Sequence, residues 1–65
     1  MNGKEISAQR RRFDITQSRL AGIAGISPST LVDIENDRLR LSRSEYSRLR
    51  RLIESSAAVA DNEAA

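Results

Sequence analysis

The sequence of 65 residues contains no Cys, no His and no Trp, and only one Pro, one Tyr and one Phe. Without Cys there are no disulfides or thiol nucleophiles, and without His the commonest metal ligand and neutral-pH proton carrier are missing. A chain this short also buries a modest core, so a large enclosed active site is not expected. We therefore expect no enzyme, no metal site and no cofactor.

Long hydrophobic runs are also absent. No segment approaches the roughly 20 apolar residues of a membrane span. The N-terminal segment MNGKEISAQRRRF has no apolar stretch after its charges, which is unlike a signal peptide. These features predict a cytoplasmic protein without a membrane partner.

Basic charge is plentiful and unevenly distributed. All eleven Lys and Arg residues precede residue 52, and ten of them are Arg, whereas residues 55–65 carry only Asp61 and Glu63. The planar guanidinium group suits phosphates and guanine edges. The pattern favours a polyanionic partner, although a basic surface can also serve solubility alone.

Apolar residues recur at helical spacing along the whole chain, and no window alternates as a strand does. A first helix is predicted from Gly3 to about Phe13, with Ile6 and Phe13 facing inward beside Arg10. Thr16 is expected to cap a second helix, and Gly25 to end it in a left-handed conformation. The inward residues of this second helix are predicted to be Leu20, Ala21 and Ala24.

A third helix is predicted to start with Ser27 as N-cap and Pro28 in its first position, and to stop near Asn36 and Asp37. Its buried residues are expected to be Leu31 and Ile34. Leu39 and Leu41 are predicted to pack the segment between the third and fourth helices against the core.

Ser42 and Glu45 form the S-x-x-E pattern of a capping box at the start of a fourth helix. Its expected buried residues are Tyr46, Leu49, Leu52 and Ile53. We predict one domain, residues 1–56, followed by an Ala-rich tail, residues 57–65, that is frayed or disordered.

Two short helices joined by the three-residue turn Gly-Ile-Ser are typical of a helix-turn-helix. The segment ITQSRLAGIAGISPSTLVDIEND, residues 15–37, resembles the Cro and phage-repressor (Xre-type) helix-turn-helix family. The shared pattern is a Thr-Gln helix start, Leu-Ala, a turn Gly, Ser-x-x-Thr and a final Ile-Glu-Asn, within a similarity that runs from about Lys4 to Ile53. This resemblance implies an all-α, lambda-repressor-like domain of four to five helices in a phage or prokaryotic transcription regulator.

The resemblance also implies where double-stranded DNA binds. The N-terminal part of the third helix should face base edges, while the second helix crosses the backbone. The implied base-contacting residues are Pro28, Ser29, Thr30, Val32 and Asp33. The implied phosphate-binding residues are Gln17, Ser18, Arg19, Asn36, Arg38, Arg40 and Arg43. In many phage repressors an Arg of the first helix pairs with the Glu that ends the recognition helix, which implies an ion pair between Arg10 and Glu35.

Asp33 departs from the family, whose members often have Gln, Arg or Asn at this position. A carboxylate close to phosphates is repelled, yet Asp can accept a hydrogen bond from cytosine N4. Asp33 therefore either contacts a base, excludes wrong sequences, or belongs to a helix that recognises a protein.

Family members usually dimerise on inverted repeats through the C-terminal end of the domain, where this chain has only the Ala-rich tail. Candidate interface residues are Leu41, Tyr46, Leu52, Ile53 and Val59, although all but Val59 also suit the core. We expect a homodimeric repressor without a small-molecule effector. The alternatives are a protein-binding adaptor or antitoxin, and, far less supported, an enzyme that holds a metal with Asp33, Glu35 and Asp37.

Overall fold

The computed structural model describes residues 2–64, with the side chains of residues 2–57. Within that part of the chain lie four helices and no strand: α1 (Gly3–Arg12), α2 (Gln17–Ala24), α3 (Pro28–Glu35) and α4 (Arg43–Ala64). The predicted all-α class is confirmed. Among these helices, none is both long and apolar enough to cross a membrane.

Capping residues set the helix boundaries. The hydroxyl groups of Thr16 and Ser27 each accept a hydrogen bond of 3.1 Å from the backbone N–H three residues later. Gly25 ends α2 with φ of 73°, in the left-handed region that glycine adopts without strain. Ser42 and Glu45 exchange the two hydrogen bonds of a capping box, 3.1 and 3.2 Å long. All four local predictions are confirmed.

A core of buried apolar side chains joins the four helices. α3 packs on α1 and α2, and α4 also packs on α1 and α2. Tyr46 is buried in this core, and its hydroxyl accepts a hydrogen bond of 3.2 Å from the backbone N–H of Leu41. The core residues are Ile6, Ile15, Leu20, Ala21, Leu31, Ile34, Tyr46, Leu49 and Ile53.

Two predicted core residues lie on the surface. Phe13 is 37% exposed, because α1 ends at Arg12 and Asp14 then turns the chain with a left-handed φ of 54°. Ile15 occupies the core position instead. Leu39 is 42% exposed, whereas Leu41 packs partly against the core, so only the second of these leucines holds the connection.

The last helix continues beyond the predicted domain. The backbone of α4 is helical to Ala64. The division into a domain, residues 1–56, and a frayed or disordered tail, residues 57–65, stays a prediction. The side chain of Val59, a candidate interface residue, lies outside the described residues.

Candidate nucleic-acid interface

The turn between α2 and α3 presents the first half of α3 to solvent. Pro28 occupies the first turn of α3 directly after the Ser27 cap. Pro28 and Ser29 are exposed, and Val32 and Asp33 are half-buried. Because residues three and four apart lie on the same side of a helix, these four side chains form one surface, which we call the reading surface.

Thr30 lies apart from the reading surface. Its hydroxyl is 2.8 Å from that of Ser27, so the two hydroxyls share a hydrogen bond. Thr30 also lines a groove between α3 and α4 together with Ile26 and Leu41. Thr30 is therefore less available to a base than the resemblance implies.

Asp33 lies on the reading surface beside a basic partner. Its carboxylate is 3.6 Å from the guanidinium of Arg38, and the side chains of Asp33 and Arg38 are 48% and 70% exposed, respectively. An exposed pair of this kind adds about 1 kcal/mol or less to stability. It does, however, offset the carboxylate charge at the place where a DNA phosphate would be repelled.

The other end of α3 is anchored in the protein by a buried ion pair. Arg10 and Glu35 are only 8% and 6% exposed. Arg10 donates to both oxygens of the Glu35 carboxylate, through Nε at 2.8 Å and Nη2 at 3.0 Å. A third hydrogen bond of 2.9 Å runs from Arg10 Nη1 to the backbone carbonyl of Ile15. The structure thus brings together the two residues that the resemblance pairs.

Gln17 is part of the same buried network. Its side-chain amide donates a hydrogen bond of 3.0 Å to Glu35. One N–H of that amide therefore faces the protein, which leaves the second N–H to donate to a phosphate group. No local pattern in the sequence reveals this contact, because the two residues are 18 positions apart.

Opposing effects act on the pKa of Glu35. Burial raises the pKa, but hydrogen bonds from Arg10 and Gln17 and the charge of Arg10 together outweigh it, so the pKa lies below its ordinary value of 4.5. Glu35 is therefore ionised at neutral pH and holds its partners by charge-assisted hydrogen bonds.

The predicted phosphate-binding residues lie in two segments of the chain. Exposed side chains come from the start of α2 and from the segment after α3: Ser18, Arg19, Asn36, Arg38, Arg40 and Arg43. Arg19, Arg40 and Arg43 form no ion pair with any described residue. The amide nitrogen of Asn36 donates to the carbonyl of Val32 at 3.0 Å, so this residue also caps α3.

Each of the three carboxylates of the alternative metal site is bound by another group of the protein. Glu35 binds Arg10, Asp33 faces Arg38, and Asp37 accepts a hydrogen bond of 2.9 Å from the backbone N–H of Gly3. Within residues that the structure describes, no three potential metal ligands form a cluster. The Gly3 contact is a second long-range link that the sequence analysis missed.

The geometry is that of a helix-turn-helix: α3 is anchored at its C-terminal end and presents its N-terminal half to solvent. A family model described as helix-turn-helix matches residues 6–58 of the chain. The chain belongs to this helix-turn-helix family. Neither the search of curated proteins nor the search of solved structures found a match.

This membership confirms the resemblance drawn from residues 15–37. The helix-turn-helix family of the Cro/C1 (Xre) type supports a DNA-binding regulator of transcription. In such a protein α3 is the recognition helix, and we use that name below.

Proposed function

We propose that this helix-turn-helix protein is a repressor that binds an inverted-repeat operator as a homodimer. One observation carries the proposal: the recognition helix is anchored at its buried end by Glu35, while Pro28, Ser29, Val32 and Asp33 remain accessible. Exposed Arg side chains from the start of α2 and from the segment after α3, three of which form no ion pair with a described residue, suit the phosphates of a major groove.

The roles within this surface follow from side-chain chemistry. Ser29 can donate to or accept from several base edges, and Pro28 and Val32 can contact thymine methyl groups. Asp33 can accept from cytosine N4 because Arg38 offsets its charge. Gln17 and the exposed arginines contact phosphates and set the orientation of the domain.

A groove beside the recognition helix supports the homodimer. It has a volume of about 130 Å³ and is lined mainly by apolar side chains, with Glu45 and Arg48 at its edge. In the proposed dimer, a second copy packs on this groove about a twofold axis, and we expect Arg48 of one subunit to pair with Glu45 of the other. The apolar lining residues are Ala24, Ile26, Ile34, Leu39, Leu41, Leu49 and Leu52.

This groove narrows the set of interface candidates. Leu41 and Leu52 line it, and exposed Leu39 joins them. Tyr46 and Ile53 are instead buried in the core of a single chain, so they are not available to a partner.

The proposal is tested by selection of bound sequences from a randomised duplex library, followed by fluorescence anisotropy at two salt concentrations. We expect an inverted repeat with half-sites one helical turn apart, bound with a steep negative salt slope. A reporter with this operator at its promoter should be silenced. Leu39→Ser should leave the fold intact but weaken the dimer in sedimentation experiments, whereas Phe13→Ser, a matched exposed position outside the groove, should not.

The same apolar groove is the observation that favours the second candidate, a protein-binding adaptor or antitoxin. Such a protein would use the groove for a partner chain rather than for a second copy of itself. Library selection separates the two, because an adaptor would enrich no sequence.

A further inference from the structure

Asp37 is an unusual residue for its place in the chain. It follows the end of the recognition helix with a left-handed φ of 59°. Its N–H donates to the carbonyl of Ile34 at 3.1 Å, and the N–H of Arg38 donates to the carbonyl of Asp33 at 2.8 Å. These two bonds define the Schellman turn, in which the left-handed position is most often Gly.

The Asp37 side chain makes a contact that Gly could not provide. Its Oδ1 accepts a hydrogen bond of 2.9 Å from the backbone N–H of Gly3, the first residue of α1. N–H groups in the first turn of a helix have no partner within the helix, and a negative charge there is favoured by the helix dipole. One side chain therefore joins the end of the recognition helix to the start of α1.

Gly3 is shaped for this contact. A Cβ atom at this position would overlap the backbone carbonyl of Ile34, and would also lie 3.0 Å from Asp37 Oδ1. Only a residue without a side chain lets the backbone of α1 come this close to the end of the recognition helix. Gly3 and Asp37 thus form one joint, which we call the clasp.

We propose that Asp37 is a positioning residue for DNA binding, because the clasp holds the turn that carries Arg38. Arg38 directly follows Asp37, its N–H closes the turn, and its guanidinium faces Asp33 on the reading surface. The inference rests on the proposed function for its effect on DNA, while the clasp itself concerns the protein alone.

Two substitutions distinguish the hydrogen bond of the clasp from the effect of the Asp37 charge alone. Asp37→Asn removes the charge but retains an acceptor oxygen and tolerance of a left-handed φ. Asp37→Gly also removes the charge and suits the turn, but it has no acceptor. If Asp37 only repelled phosphates, both variants would bind DNA more tightly.

If the clasp positions Arg38, the two variants should differ in their affinity for the operator. Asp37→Gly should weaken operator binding about tenfold, as expected when a hydrogen bond to a charged group is lost, whereas Asp37→Asn should bind within about threefold of the unsubstituted chain. Asp14→Gly is the matched control. Asp14 also has a positive φ, of 54°, but its side chain makes no hydrogen bond to a described residue, so this variant should not weaken binding.

A second comparison tests whether Asp37 acts through Arg38. Arg38→Ala should weaken binding of the unsubstituted chain but change the affinity of the Asp37→Gly variant much less, since effects of coupled residues are not additive. Circular dichroism at the binding temperature establishes that each variant is folded. Equal effects of Arg38→Ala in both backgrounds, or tighter binding by Asp37→Gly, would overturn the proposal.

Backbone ¹⁵N relaxation tests the clasp without DNA. The order parameters of the Gly3 and Arg38 amides should fall in Asp37→Gly and be retained in Asp37→Asn and Asp14→Gly. If the unsubstituted chain selected no operator, the proposed function would fail and this measurement would still decide whether the clasp holds Arg38. Unchanged order parameters in Asp37→Gly would show that it does not.

Discussion

The two ends of the recognition helix differ in almost every physical respect. At its C-terminal end, Glu35 is buried and accepts hydrogen bonds from Arg10 and Gln17. At its N-terminal end, Pro28 and Ser29 are exposed to solvent. Separate residues therefore set the orientation of the helix and the surface that it presents, so each property can be changed alone.

Loss of the buried ion pair should produce the largest effect. Arg10→Met leaves Glu35 buried without a counter-charge, which should lower the free energy of unfolding by about 3 to 5 kcal/mol. Urea denaturation followed by circular dichroism measures it.

The double variant Arg10→Met with Glu35→Leu is the control for this experiment. Removing both charges should recover much of the loss, because the cost arises from the unpaired charge rather than from the missing contact. A loss below 1 kcal/mol for Arg10→Met would show that the anchored end is not held by this pair.

The stability that ionised Glu35 contributes at the C-terminal end of the recognition helix should decrease in acid. The pKa of Glu35 lies below its ordinary value of 4.5 in the folded chain, so the unfolded chain takes up the proton first as pH falls. The stabilisation is complete above about pH 4.5 and is lost as the pH drops through the folded-state pKa. Urea denaturation across this range should show a steeper loss for the unsubstituted chain than for Glu35→Gln, and parallel curves would contradict the ionised pair.

Substitutions on the reading surface should change sequence preference instead of stability. Ser29→Ala and Asp33→Ala should each alter the affinity for particular base pairs by about 1 to 3 kcal/mol, while the free energy of unfolding changes by about 1 kcal/mol or less. Library selection with each variant measures the preference. If Asp33→Ala bound every duplex more tightly with no new preference, Asp33 would act by repulsion alone.

A phosphate-contacting residue should have the smallest and least selective effect. Arg43→Ala should weaken binding to all duplexes alike and reduce the slope of log K against log salt concentration by about 0.9. Arg12→Ala is the control, because Arg12 lies at the end of α1, above the ring of Phe13, and away from the recognition helix. Equal effects of the two variants would mean that the basic charge acts without a defined contact.

The sequence predicts the boundaries of the helices better than it predicts which residues near those boundaries face the core. Helix boundaries at Thr16, Gly25, Ser27 and Ser42 were predictable because capping needs particular side chains at fixed local positions. The prediction that Phe13 faces the core is wrong, because α1 ends at Arg12, one residue before Phe13. Asp14 then turns the chain with a left-handed φ, and Ile15 enters the core in place of Phe13. Local patterns set helix ends, but a single turn residue can shift the phase of the next element.

Long-range polar contacts, unlike helix boundaries, could not be predicted from local sequence patterns. The pairing of Arg10 with Glu35 was accessible only through the family resemblance, and the contacts of Gln17 with Glu35 and of Gly3 with Asp37 were missed. These residues are 18 and 34 positions apart, respectively, and meet only after the helices have packed. No periodicity within one element carries that information.

Whether the reading surface binds DNA is tested most directly by an NMR titration of the ¹⁵N-labelled chain with its best selected duplex. An exposed reading surface on an anchored helix predicts the largest amide shifts at Ser29, Val32 and Asp33 and at the start of α2. Residues that line the groove beside Leu39 should shift little when the duplex is added to the preformed dimer. Shifts concentrated in that groove or along α4, with the amides of Ser29, Val32 and Asp33 unchanged, would show that the reading surface does not bind DNA.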